Sequence, residues 1–162
     1  MQRRYWLLGG SALLFLAIQF VPNELPPVVM NNPDDLIQSG IVREEISSLL
    51  KVSCYNCHSN ETEYPWYSYV APSSWLVAKD VREAREELNF SNWQTYDMME
   101  KLEKLDDISI EVDAEKMPLG IYTLIHTWAK LDETQRQLIV DWAEETMDVV
   151  VEEGEEDVGE NE

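Results

Sequence analysis

Apolar residues recur along most of this chain with a helical rhythm. Ile41, Val42, Ile46, Leu49, Leu50 and Val52 fit one face of a helix that ends near Cys54–His58. A second stripe runs through Trp75, Val77, Ala78, Val81, Ala84 and Leu88. Lys79, Asp80, Arg82, Glu83, Arg85 and Glu86 form its solvated side, and Ser73 or Ser74 is expected to cap it. Ser91-Asn92-Trp93-Gln94 has capping-box spacing and predicts a helix burying Trp93, Tyr96, Met99 and Leu102. Ile108, Ile110 and Val112 alternate as in a strand, but their surroundings favour a short helix started by Asp106 or Asp107. Pro118 suits the first turn of a helix through Tyr122, Leu124, Ile125 and Trp128. Asp132-Glu133-Thr134-Gln135 is a further capping box. It opens a last helix with Leu138, Ile139, Trp142 and Ala143 on one side, expected to pack across the helix of Ile46 and Leu49. The pattern is that of an all-α domain.

The ends differ from this middle. Arg3 and Arg4 precede an apolar run from Tyr5 to Val21, a charged n-region followed by a hydrophobic segment. Residues 1–22 therefore read as a signal anchor or signal peptide. The exit Gln19-Phe20-Val21-Pro22 has no small-x-small cleavage pattern, which favours an uncleaved anchor. The 17-residue run is short for a span. The positive-inside rule leaves the arginines in the cytoplasm and the rest outside, on the periplasmic side of the inner membrane. Residues 23–40 contain Pro26, Pro27 and Pro33 among Asn and Asp, and read as an extended spacer lifting the domain off the membrane. The domain itself is expected over 41–150. Residues 151–162, rich in Glu and poor in apolar groups, read as a disordered acidic tail.

The chemistry concentrates at Cys54-Tyr55-Asn56-Cys57-His58. It contains both cysteines and one of the two histidines in the 162 residues. Cys-x-x-Cys-His is the attachment signature of c-type haem. Two thiols one helical turn apart reach both vinyl groups of a porphyrin, and His58 supplies a ring nitrogen to the iron. A zinc site would need further ligands, and no third cysteine exists. A thioredoxin-like pair would sit in a βαβ pattern, which is not visible here. The fifth letter of the motif favours one covalent haem c. It also agrees with the anchor, since such attachment is completed outside the bacterial cytoplasm.

Met117, in Lys116-Met117-Pro118-Leu119, is the candidate second axial ligand, because its place before a proline biases it to a loop. His126 is the runner-up. Tyr64-Pro65-Trp66-Tyr67, with Trp75 further on, forms a candidate pocket wall that excludes water and offers hydroxyl and indole donors.

A net charge of −20 argues against nucleic acid as a partner and fits poorly with an anionic membrane surface. It suits a solvated surface, or a face that steers a basic redox partner. No Ser-His-Asp set or phosphate loop is present, so an enzyme such as a peroxidase is the weaker expectation. A one-electron carrier with His/Met ligation is the first reading. A haem-based sensor or small-ligand module with a labile sixth position is the alternative.

The landmarks Cys54–Asn60, Tyr64-Pro65-Trp66-Tyr67, Pro72-Ser73-Ser74-Trp75, Glu87–Ser91, Met117-Pro118-Leu119, Tyr122, His126, Ala129, Leu131 and Trp142 form a wider pattern. It resembles a bacterial haem-binding domain family related to class I c-type cytochromes, over roughly 39–150. The resemblance implies a small cytochrome c-like helical domain, extracytoplasmic and membrane-tethered.

Overall fold

A computed structural model describes residues 2–159, with side chains described for 4–154. All regular structure among these residues is helical, as the apolar rhythm requires. The helices are α1 (Gln2–Ile18), α2 (Glu44–Ser53), α3 (Tyr55–His58), α4 (Ser73–Glu87), α5 (Met98–Asp113), α6 (Gly120–Ile125) and α7 (Glu133–Gly159). Short 3-10 turns cover Leu36–Ser39, Trp66–Tyr69, Phe90–Thr95 and Thr127–Ala129.

The main layer is the pairing of α5 with α7. Leu105, Ile108 and Val112 of α5 follow i, i+3, i+7 spacing and meet Ile139, Val140, Trp142, Ala143 and Val150 of α7 in one core. Ile46 and Leu50 of α2 join this core, so the terminal helix does pack across the segment that leads into the cysteine motif. Trp93, Trp142 and Phe90 are among the largest fully buried side chains. The Asp132 box forms as expected: Asp132 Oδ1 accepts from Gln135 N, and Gln135 Oε1 accepts from Asp132 N, both at 2.9 Å.

Other boundaries move, each for a local reason. Ser91 opens no α-helix. Asn89 instead takes the cap, accepting from Ser91 N at 3.0 Å, and a 3-10 turn tucks Trp93 into the core. The α-helix starts at Met98, where Asp97 and Glu100 form the reciprocal box. It then runs unbroken to Asp113, so Ile108, Ile110 and Val112 are helical but begin no segment of their own. Met99 points outward rather than inward. Neither Ser73 nor Ser74 caps α4; both lie inside it, and Ser73 Oγ donates to the carbonyls of Tyr67 and Val70. The acidic stretch read as a disordered tail from 151 continues α7 as helix through Gly159; residues 160–162 lie outside the described residues.

The stretch read as a free spacer is laced to the domain. Leu36 is fully buried in the core, and Tyr55 Oη donates to the buried Asp35 at 3.0 Å. Val29 N bonds Asn60 O, Tyr64 Oη donates to Pro26 O, and Arg85 donates to Pro27 O. The prolines deny this segment helix, but its carbonyls find side-chain donors across the domain surface. No helix among the described residues is long and apolar enough to cross a membrane.

Candidate functional site

The cysteine motif begins where α2 breaks. Cys54 keeps the helical bond from its N–H to Leu50 O, at 2.8 Å, but its φ and ψ of −122° and −43° turn the chain into α3. Cys57 N and His58 N then both bond Cys54 O, at 3.1 and 3.0 Å. This tight turn sets the two thiols one helical turn apart, with the imidazole directly after them. Tyr55 points the other way and stacks on Phe90 with ring centroids 4.9 Å apart. Ser59 Oγ closes the turn by donating to Tyr55 O at 2.7 Å.

His58 is oriented by the end of α4. Its Nδ1 lies 3.1 Å from the carbonyl oxygen of Leu88, the residue that caps that helix. A carbonyl only accepts, so Nδ1 carries the proton and Nε2 keeps its lone pair. Leu88 is itself extended, with φ −150° and ψ 121°, so its carbonyl lies outside the helical ladder and takes a side-chain donor instead. An imidazole held this way is fixed in tautomer and made a stronger donor through its free nitrogen. Desolvation lowers the pKa of His58, which keeps the ring neutral, the ligating form.

Leu50, Cys54, His58, Leu88, Phe90, Ile108, Val112 and Met117 line one cavity of about 360 Å³. Glu87, Lys104, Asp107 and Glu111 complete its lining. Met117, far in sequence from Cys54 and His58, thus shares one mainly apolar space with them. Met117 reaches it by a reversal after α5. Glu115 adopts a left-handed φ of 56°, and the N–H groups of Lys116 and Met117 both return to Glu111 O, at 3.0 and 3.1 Å.

Cys57 does not line that cavity. It lies within electrostatic reach of Asp80, Arg85, Tyr64, Tyr67 and Tyr122. Both thiols are free. Burial pushes Cys54 up to about 12, with Cys57 adding to it, and pushes Cys57 up to about 11, with Asp80 adding. A dithiol working by exchange needs the opposite shift. No set of three or more His, Cys, Asp or Glu groups able to hold a metal ion gathers among the described residues.

The aromatic candidates divide. Tyr67 is half-buried and hydrogen-bonded to His126 Nε2. His126 is buried and stacks on Tyr122 at 4.3 Å, with Trp128 edge-on at 4.9 Å, and it does not line the cavity of His58. Tyr122 Oη accepts from Asn56 at 3.0 Å, which ties this cluster to α3 beside Cys57. Trp75 is half-buried, with its Nε1 buried and unpartnered, and Tyr64 is half-buried against Pro26. Trp66 is 77% exposed.

The residues fit a haem: a thiol pair on one turn, a neutral histidine with one nitrogen free, an apolar cavity, and a methionine in its lining. Cys54, Cys57 and His58 would hold it, with Met117 the further donor. Leu88 is the functional group the sequence did not flag, since it contributes only its backbone oxygen. The signal was its place at the end of an amphipathic helix.

Searches among curated proteins and among solved structures return no match. The family model described as "Haem-binding domain" matches residues 13–145, which include the whole site and most of the segment that precedes it. By that match, and by a site whose residues suit the cofactor, the chain belongs to the haem-binding domain family.

Proposed function

We propose that this protein is a c-type haem protein that carries single electrons, tethered to a membrane with its haem domain on the extracytoplasmic side. The observation that carries this reading is the seat of His58. Its Nδ1–H is bound to the Leu88 carbonyl, which leaves the lone pair of the neutral ring on Nε2, and Cys54 and Met117 line the same apolar cavity. Haem, when bound, supplies a reversible one-electron couple at its iron. Cys54 and Cys57 would hold it against loss by covalent attachment through their sulfurs. Leu50, Phe90, Ile108 and Val112 exclude water. The Met117 sulfur would be a further donor to the group, one that favours its reduced state.

The tether rests on α1. Tyr5, Trp6, Leu7, Leu13 and Leu14 are all exposed, with no protein surface to cover them. Gln19, Phe20 and Val21 prolong the winding by bonds to Leu16, Ala17 and Ile18, each at 3.2 Å. The apolar part of helix and turn, Tyr5 to Val21, reaches about 27 Å, at the short end of the hydrocarbon thickness of a bilayer. Arg3 and Arg4 at the other end set the direction.

The purified full-length protein tests the reading. It is expected to gain the mass of one haem on the chain and to show a low-spin spectrum when reduced. The oxidised form is expected to show a sulfur-to-iron charge-transfer band. Met117→Ala removes that band and opens the reduced form to rapid carbon monoxide binding. Rapid carbon monoxide binding by the unaltered protein would instead make it a sensor or ligand-binding module. A colourless protein with free thiols would remove the proposal altogether.

A further inference from the structure

We infer that Trp66 and Tyr69, together with Phe20, form an aromatic collar that seats the haem domain directly on the lipid interface. This rests on the tether proposed above and goes beyond it: the anchor holds a fixed face against the bilayer rather than a domain on a loose lead.

Three observations converge. First, the end of α1 is clamped to the domain. Gln19 Nε2 donates to Ala71 O at 3.1 Å, and Ala71 N donates back to Gln19 Oε1 at 2.9 Å. Four residues on, Asn23 Nδ2 donates to Ser74 O at 2.9 Å. Paired bonds from one amide to one residue's backbone fix orientation as well as distance.

Second, this clamp puts large apolar groups around the helix exit. Phe20, Val21 and Tyr69 line one crevice with Gln19 and Ser68. Trp66 and Tyr69 are the ends of one 3-10 turn, where residues three apart eclipse each other and share a face. Phe20 is 87% exposed and Tyr69 67%, large rings left uncovered among the described residues. Trp and Tyr concentrate where a bilayer meets water, because each has an apolar body and a polar tip.

Third, the charge pattern fits. The crevice lining is Gln19–Asn23, Leu25, Ser68, Tyr69, Ala71 and Ser74, without one charged side chain, in a protein of net charge −20. A protein partner that reads this molecule by charge has nothing to grip here. A zwitterionic headgroup layer needs no such grip.

The test uses the full chain, oxidised and carrying its haem, in phosphatidylcholine nanodiscs, with fluorine-labelled tryptophan. Trp66→Phe assigns the Trp66 signal. The probe is a lipid with a nitroxide near the top of its acyl chain. Trp6 of α1 reports insertion, and the buried Trp93 and Trp142 serve as controls. The Trp66 and Trp6 signals are both expected to lose about half or more of their intensity, while Trp93 and Trp142 keep theirs. Attenuation of Trp6 without Trp66 overturns the collar and leaves the tether standing, with this face then open to a protein partner. Attenuation of neither removes the tether itself, and the collar with it.

Discussion

Glu115 holds the left-handed position after a helix end, one that glycine usually fills. With φ at 56° it ends α5 in the left-handed region, and the reversal it makes carries Met117 back to the cavity of His58. A side chain there costs about 1–2 kcal/mol, and its ion pair with Arg136, 3.5 Å long and exposed on the Glu115 side, returns little of that. Glu115→Gly relieves the backbone but adds freedom to the unfolded chain. The net expectation is a gain of about 0.5–1 kcal/mol, read as a higher urea midpoint at unchanged slope. A lower midpoint would mean that the Glu115 side chain holds the turn. The sequence showed Met117 before a proline and so placed it in a loop, but nothing in a string of letters marks a glutamate as left-handed. The same limit hid Leu88, whose side chain is ordinary and whose carbonyl orients the histidine. The Cys54, Cys57 and His58 set was legible because the chemistry fixes the residue types and their spacing.

Among the elements, some local signals were legible, but the caps expected at Ser73 or Ser74 and at Ser91 were not the ones used, and contacts set by distant partners could not be seen. The Asp132 box and the stripe of α4 announce themselves within a few residues. The segment before α2 does not. Its prolines correctly exclude an α-helix, but they cannot show that Asp35 is met by Tyr55 of α3, Pro26 O by Tyr64, Pro27 O by Arg85 of α4, and Leu36 by the core. Its fully buried leucine carries a measurable weight. Leu36→Ala is expected to destabilise the domain by about 2–5 kcal/mol, as for a fully buried leucine in any core. Val28→Ala, at a half-exposed position of the same segment, is expected to stay within about 0.5 kcal/mol of the parent. Urea unfolding of both decides the matter. Equal, negligible effects would return residues 23–40 to the role of a free spacer.

On the scale of the whole molecule, charge is the feature the fold concentrates most. Asp97, Glu100, Glu103 and Asp106 of the α5 region face Asp141, Glu144, Glu145 and Asp148 of α7 across an open trough of about 1060 Å³. Met99, Leu102, Met147 and Val151 contribute its apolar lining, and no basic side chain lines it. Glu145 meets Arg43 at 3.2 Å, an exposed pair that screens little of the rest. Packing α5 on α7 therefore brings like charges together, and the shared core of Leu105, Ile108, Trp142 and Val150 outweighs their repulsion. That balance depends on salt, because the screening length falls from about 30 Å at 0.01 M to about 8 Å at 0.15 M. Glu103→Gln, Asp106→Asn and Glu144→Gln together are expected to raise the unfolding midpoint at low salt. The gain corresponds to roughly 0.5–1.5 kcal/mol and shrinks toward zero as salt is added. The parent protein, over the same titration, becomes more stable. Thermal unfolding of both proteins across the salt series measures this directly. If the parent midpoint does not rise with salt, the two acidic rows are too well solvated to repel, and the trough carries charge without strain.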